Sequence, residues 1–234
     1  MKLSIIIPVF NEEKTVLEVI KRVIKANIPS FEKEIIVVDD GSTDGTKDKL
    51  KSLGGLVRII YHKQNQGKGA AVRTGIEEAK GDYIIIQDAD LEYNPELIKN
   101  LTKQIQGDKS VIYGTRLNRL PHFKKEEKRR LFILHYLGNR FLSLITSLLY
   151  GQWITDMETC YKLFPKKAVE GMKIRARGFE FEPEITAKLL KKGYKIMEAP
   201  IKVTPRGYEE GKKINTVRDG IKALWSIIKY RFVD

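Results

Sequence analysis

The sequence predicts an α/β protein: a Rossmann-like, mostly parallel sheet flanked by helices, with an elaborated C-terminal half. Three observations predict it. Short, uniformly apolar stretches such as Glu34–Val38 (EIIVV) and Tyr83–Gln87 (YIIIQ) alternate with amphipathic ones, as expected for strands buried on both faces and joined by crossover helices. Polar clusters follow three of these stretches directly: Phe10-Asn11-Glu12, Asp39-Asp40 and Asp88-Ala89-Asp90. The third observation is length: 234 residues with 42% hydrophobic content can bury a sizeable core without disulfides or metal staples.

The elements follow in order. Leu3–Val9 reads as a strand. Glu13–Ala26 places Val16, Val19, Ile20, Val23 and Ile24 on one helical stripe. Glu34–Val38 is the second strand, and the turn Ser42–Gly45 offers Thr43 or Asp44 as cap for a second helix. Val57–Tyr61 is a third strand, and Gly69–Ala79 a helix of small residues. Tyr83–Gln87 is the fourth strand, Pro95 opens a helix at about Glu96–Gln106, and Val111–Gly114 is a further strand. The next segment, Arg116–Arg130, is loop-like and basic, with Arg116, Arg119, Lys124, Lys125, Lys128, Arg129 and Arg130. An apolar helix, Leu131–Tyr150, follows. Then come a strand around Leu163, a helix at Glu182–Lys192, a strand at Lys195–Val203, a basic turn (Pro205-Arg206-Gly207-Tyr208) and a last helix at about Thr216–Phe232. No repeat or long linker divides the chain. It reads as one domain, 1–234, with a regular first half to about residue 115 and a less regular second half beyond.

Charge and composition set bounds. Lys and Arg number 43 against 30 Asp and Glu, a formal net charge of +13. That excess suits nucleic acid, anionic lipid or a phosphorylated substrate, or a Lys-rich solvated face. One cysteine, Cys160, excludes an intramolecular disulfide and favours a reducing compartment. The N-terminal apolar run is interrupted by Pro8 and ends at Asn11-Glu12-Glu13, without a cleavage site. His135, Asn139 and Arg140 interrupt Leu131–Tyr150, so it lacks the roughly 20 apolar residues of a span.

Ligands of open parallel sheets collect at the carboxyl ends of the strands, so the three polar clusters point to one edge. Asp88 and Asp90 read as oxygen ligands for Mg²⁺ or Mn²⁺, with Glu92 completing the set, or as caps of the next helix. Asp39 reads as an acceptor for a nucleobase N–H or a ribose hydroxyl, or as part of a strand-to-helix turn. Gly67-Lys68-Gly69 departs from a phosphate loop, because His62 replaces the first glycine and Gly69 the hydroxyl residue. Lys68 either approaches a nucleotide or belongs to a turn before a helix.

Together IIIPVFNEE, VVDDGSTDGT, NQGKGAA and DADLEYNPE occur in an order and spacing that resembles family 2 glycosyltransferases of the GT-A fold. Gly114-Thr115-Arg116, TDMETCYK and PRGYEEGKK look like the dolichyl-phosphate mannose synthases and related polyprenyl-phosphate glycosyltransferases, and the resemblance covers the chain to about Arg231. It implies a nucleotide-sugar pocket from Pro8, Phe10, Asn11, Glu12, Asp39, Lys68, Asp88, Ala89 and Asp90. It implies a metal site at Asp88, Asp90 and Glu92, where the synthases often have Gln at the last position. It implies acceptor-phosphate binding by Arg116, Arg130, Arg206 and Lys212, and an acid near the acceptor at Asp156. Asp90, Arg116 and Asp156 are then the catalytic candidates.

The implied reaction is an inverting, metal-dependent transfer of a mannose- or glucose-type hexose from GDP-mannose or a UDP-hexose to a polyprenyl (dolichyl) phosphate. A phosphate acceptor is already ionised and needs cations to hold it, which the arginines supply. A saccharide or glycolipid hydroxyl acceptor is the alternative; it needs a general base, and Asp156 is the candidate. Asp156 therefore reads as base or as positioning residue. The helix Leu131–Tyr150, behind its basic segment, reads as an element lying on an anionic leaflet, as core, or as a contact with a second subunit. The last helix, with Ile221, Leu224, Trp225, Ile228 and Phe232 beside Lys222, Lys229 and Arg231, reads the same ways. The expected location is cytoplasmic, peripheral on the cytoplasmic membrane face. No nucleic-acid recognition motif appears, so nucleic acid is not expected as a partner.

Overall fold

The computed structural model describes residues 1–116, 129–204 and 216–233. Seven strands form one sheet: β1 (Lys2–Val9), β2 (Glu32–Asp39), β3 (Arg58–Tyr61), β4 (Tyr83–Ile86), β5 (Ser110–Thr115), β6 (Lys162–Pro165) and β7 (Lys195–Pro200), in the order β3-β2-β1-β4-β6-β5-β7. Strands β1 to β4 are mutually parallel, with Val9 opposite Asp39 and Ile6 opposite Ile86. Strand β6 runs antiparallel between β4 and β5, and β7 lies parallel to β5. The predicted mostly parallel sheet is therefore present, with one reversed strand that puts both halves of the chain into a single sheet.

The helices are α1 (Val16–Lys25), α2 (Thr46–Lys51), α3 (Lys68–Glu78), α4 (Ile98–Thr102), α5 (Arg129–Tyr150), α6 (Lys166–Val169), α7 (Phe181–Lys191) and α8 (Thr216–Phe232). The stripe read from α1 is real: Val16, Val19, Ile20 and Val23 are buried. The expected helix at Glu96–Gln106 is shorter, a 3₁₀ turn over Pro95–Leu97 followed by α4. The N-cap of α2 is Gly45, neither Thr43 nor Asp44; Asp44 sits one residue earlier, its Oδ1 accepting the Thr46 N–H at 3.0 Å. The four-residue α6 has no sequence counterpart among the expected elements.

Two consequences position the site. Strand β1 has β2 on one side and β4 on the other, so successive crossovers leave it in opposite directions and open a crevice at its carboxyl end. Because β6 is antiparallel, it enters the sheet at that same edge, with Asp156–Tyr161 immediately before it. The apolar core lies along these strands: Ile5, Ile6, Ile7, Ile36, Val37, Val38, Ile84, Ile85 and Ile86 are fully buried.

Helices α5 and α8 pack side by side, and the Tyr150 hydroxyl donates to the Ile227 carbonyl at 2.8 Å. Each buries one face and exposes an apolar stripe on the other. Leu137, Phe141, Leu144 and Leu148 are exposed on α5, and Val217, Ile221, Trp225, Ile228 and Phe232 on α8. Leu224 instead packs against the core. Among the described residues, no helix is long and apolar enough to cross a membrane.

Candidate active site at the carboxyl edge of the sheet

The first wall is built from the ends of β1 and β2. Asn11 adopts φ 50°, and its N–H donates to Ser42 Oγ at 2.9 Å while its Oδ1 accepts from the Thr43 N–H at 2.8 Å. The Glu12 N–H donates to Thr46 Oγ1 at 2.9 Å, and its carboxylate accepts from Thr15 Oγ1 at 2.8 Å. These bonds tie the Phe10–Glu12 loop to the 42–46 turn, which fixes the shape of the crevice. Asp39 is fully buried at its rim. Its Oδ1 accepts from Ser42, whereas Oδ2 is buried without a hydrogen-bond partner. A buried carboxylate oxygen left unpaired is costly, and a ligand N–H or hydroxyl would relieve it.

The neighbouring Asp40 serves the fold. Its carboxylate accepts from the Gln66 and Gly67 N–H groups and pairs with His62 Nδ1 at 2.6 Å. That holds the loop ahead of α3. Gly67, at φ 99°, and Gly69 then meet the backbone of Ala176–Gly178, where a Cβ would collide with the Arg177 and Ala176 carbonyls. The glycines therefore serve backbone packing, and the loop is a strand-to-helix turn. What they achieve is to bring Lys68 inward, where its ammonium lies 2.8 Å from Asp88 Oδ1 and 3.4 Å from Glu182 Oε1.

The second wall follows β4. Gln87 is buried, donates to the Asp88 and Tyr93 carbonyls, and accepts from the Tyr161 hydroxyl at 2.6 Å. The Tyr93 hydroxyl in turn accepts from the Cys160 N–H at 3.2 Å. The loop bearing Asp88, Ala89 and Asp90 is thus fastened to the segment before β6. Burial pushes the Asp88 carboxyl up, but Lys68 outweighs it and holds the group below its ordinary range. Burial pulls Lys68 down, and Asp88 and Glu182 more than restore it. Asp90 Oδ1 accepts from the Glu92 N–H at 3.1 Å, and Leu91 between them takes φ 64°. Asp88 Oδ1 is thus engaged by Lys68 and Asp90 Oδ1 by the backbone of its own turn. The expected trio of Asp88, Asp90 and Glu92 is not drawn into one cage, and no three His, Cys, Asp or Glu side chains form one among the described residues.

The third wall joins β5 to the segment before β6. Asp156 is fully buried, and both its oxygens are engaged. Oδ2 accepts from the Arg116 N–H at 2.9 Å and Nε at 2.7 Å; Oδ1 accepts from Arg116 Nη2 at 2.7 Å and Asn139 Nδ2 at 2.8 Å. The Glu198 carboxylate receives the Thr155 and Asp156 N–H groups. Burial pushes Asp156 up, but Arg116 outweighs it and the carboxyl stays below its usual range. The Arg116 side chain keeps 24% exposure, so its guanidinium is held on one edge by Asp156 and is still partly open to solvent.

The structure thus gathers Asn11, Glu12, Asp39, Lys68, Asp88, Ala89, Asp90, Arg116 and Asp156 at one edge, with Pro8 and Phe10 at the end of β1. Arg206, Lys212 and the side chain of Arg130 lie outside the described residues. Three residues of the site were missed in the sequence. Lys162 and Glu182 are buried and paired at 2.6 Å. Glu158 has a buried Oε1 without a hydrogen-bond partner, and burial, reinforced by Glu182, pushes its carboxyl up to about 7. No local pattern singles them out: Glu182 lies in the first turn of α7, where apolar and acidic side chains are buried alike, and Lys162 and Glu158 belong to a different segment.

Comparison with known proteins places these features. The model of the family described as Glycosyl transferase family 2 matches residues 4–172. A dolichol-phosphate mannosyltransferase of Pyrococcus furiosus is 29% identical, and the match covers 98% of this chain and 64% of that enzyme. A UDP-N-acetylglucosamine–dolichyl-phosphate N-acetylglucosaminyltransferase of Methanococcus voltae is 30% identical, over 96% of this chain and 94% of the relative. In fold, the chain is similar to glucosyl-3-phosphoglycerate synthase of Mycobacterium tuberculosis solved with uridine diphosphate: TM-score 0.74, 17% identity, covering all of this chain and 81% of that one. The matched span runs from β1 to α6 and so contains the Phe10–Glu12 loop, Asp39, Lys68, Asp88, Asp90, Arg116 and Asp156, with Glu182 and Glu198 beyond it. The chain belongs to glycosyl transferase family 2.

Proposed function

We propose that this glycosyltransferase moves a hexose, of mannose or glucose type, from GDP-mannose or a UDP-hexose to a polyprenyl (dolichyl) phosphate, with inversion and with Mg²⁺ or Mn²⁺. One observation carries the choice of acceptor: Asp156 has both oxygens engaged by Arg116 and Asn139 and is held ionised. A carboxylate so occupied is a poor proton acceptor. It is well suited to aim a guanidinium, and a phosphate acceptor needs a cation where a hydroxyl needs a base. The names of the Pyrococcus and Methanococcus relatives, both acting with dolichyl phosphate, support the same choice.

On this reading the nucleoside occupies the crevice at the end of β1, where the unpaired Asp39 Oδ2 accepts a base N–H or a ribose hydroxyl. Asp88 and Asp90 would hold the divalent cation. Hard carboxylate oxygens fit Mg²⁺ or Mn²⁺, and two such ligands leave positions for diphosphate oxygens and water. The cation would neutralise charge gathering on the departing diphosphate. Lys68 adds a second positive charge beside Asp88. Arg116, steadied by Asp156, holds the acceptor phosphate so that its oxygen attacks the anomeric carbon from the face opposite the leaving group.

The stripes on α5 and α8 support a peripheral position on an anionic cytoplasmic leaflet. Trp225 is 65% exposed and Leu148 71%, while Lys222, Lys229 and Arg231 flank the α8 stripe. Basic groups near such a surface contribute about 1 kcal/mol each.

A second reading, transfer to a saccharide or glycolipid hydroxyl, is favoured by Glu158 alone, since a carboxyl raised to about 7 suits a general base. Incubation with radiolabelled nucleotide sugars, Mg²⁺ or Mn²⁺ and polyprenyl phosphate tests the proposal. Label moving into the lipid with one donor is expected. Label moving to an oligosaccharide and never to the lipid would replace it by the second reading.

A further inference from the structure

A line of alternating charges crosses the protein beneath the crevice. Asp88 Oδ1 meets Lys68 Nζ at 2.8 Å, Lys68 meets Glu182 Oε1 at 3.4 Å, and Glu182 Oε2 meets Lys162 Nζ at 2.6 Å. Lys162 ends the line by donating to the Met157 carbonyl at 2.9 Å and to the Thr159 carbonyl. Glu182 and Lys162 are buried, and Lys162 also lies 4.8 Å from the Tyr113 ring centroid. The donor-side carboxylate and the turn that carries Asp156 thus share one chain of ion pairs, and Glu182 is its centre.

The two ends have different needs. Asp88 must offer an oxygen to a cation, yet a lysine already lies against it. If Lys68 had no other anion, its ammonium would belong wholly to Asp88 and would compete with any metal. Glu182 gives it a second partner. At the other end Glu182 fixes Lys162, which clasps the carbonyls on both sides of Glu158 and so sets the path of the chain leaving Asp156.

We propose that Glu182 is a positioning residue that shares Lys68 with Asp88, so leaving Asp88 able to take a divalent cation, while it anchors the Met157–Thr159 turn through Lys162. The proposal rests on the metal-dependent reading above. Partners behind a ligating carboxylate set its basicity and orientation, and their loss typically weakens metal binding tenfold or more.

The test is Mn²⁺ titration followed by electron paramagnetic resonance, with UDP or GDP present, on the full chain. Wild type is compared with Glu182→Gln, Glu182→Asp, Lys68→Met and the Lys68→Met/Glu182→Gln double variant. Glu182→Gln removes the second anion, so Mn²⁺ affinity is expected to fall about tenfold. Glu182→Asp, which keeps the charge on a shorter stem, is expected to lie between it and wild type. In the Lys68→Met background the Gln substitution should lose most of its effect, because the competing ammonium is gone. Equal losses in both backgrounds, or wild-type Mn²⁺ affinity in Glu182→Gln, would overturn the proposal whatever happens to thermal stability. If Glu182→Gln does not fold, wild-type affinity in Glu182→Asp overturns it instead. Wild-type protein that binds no Mn²⁺ with either nucleotide removes the metal-dependent reading itself, a result distinct from an unaffected variant.

Discussion

Asp156→Asn separates a base from a positioning residue. The carboxylate receives four hydrogen bonds, two on each oxygen, three from Arg116 and one from Asn139. An asparagine keeps one carbonyl oxygen, so its NH₂ must face two donors in either orientation. Arg116 also loses the countercharge that its partly buried guanidinium requires. Removing one partner of a buried pair costs about 3–5 kcal/mol. At about 3 kcal/mol, Tm falls by roughly 6–12 °C for a chain of this size. The pH dependence has a definite sign. The folded carboxyl lies below its ordinary value of 3.8, so its stabilisation is full above that value and is lost as pH falls through the lower folded one. The gap between wild type and variant should therefore be widest near neutrality and close in acid. Urea unfolding at neutral and acid pH measures it. In the transfer assay Asp156→Asn and Arg116→Lys should lose activity together, with the shape of the pH–rate profile kept. A variant as stable as wild type, or one that loses only the acidic limb of the profile, would refute the positioning argument.

Glu158 gives the opposite sign. Its folded carboxyl stands near 7 against 4.5, so the folded state holds the proton more tightly and stability falls as pH rises between those values; Glu158→Gln should gain up to about 3 kcal/mol at pH 8 and nothing at pH 4 in urea titrations. Gly67→Ala puts a Cβ into the Arg177 carbonyl at φ 99°, and should lower stability by about 1–3 kcal/mol in thermal unfolding while withdrawing Lys68 from Asp88. Trp225→Glu on the exposed stripe of α8 should abolish flotation with phosphatidylserine vesicles and leave soluble donor binding, followed by nucleotide thermal shift, unchanged. Flotation that survives this change places the membrane contact elsewhere.

Much of the fold was legible because its signals are local. EIIVV and YIII can be little other than buried strands, and the α1 stripe is a direct reading of helical period. The convergence of Asp39, Asp88 and the Phe10–Glu12 loop followed from parallel strands alone. Less legible were features that depend on partners far away in sequence. Gly67-Lys68-Gly69 is ambiguous until Arg177 is seen against it. Glu182 lies 94 positions beyond Asp88, and nothing local ties them through Lys68. The α5 helix read as core or as surface and is both, because only packing against α8 decides which face is covered.

The sequence by itself determined the α/β class, the polar strand ends and the family resemblance, since each is carried by short runs whose period or order survives without neighbours. The tertiary structure alone decided what those residues do to one another. It reversed β6 so that Asp156 reaches the carboxyl edge of β1 and β4, saturated Asp156 with Arg116 and Asn139, and set Lys68 between Asp88 and Glu182. The reason is electrostatic: what a charged side chain does is set by its burial and by the countercharges within a few ångströms, and folding draws those from remote parts of the chain.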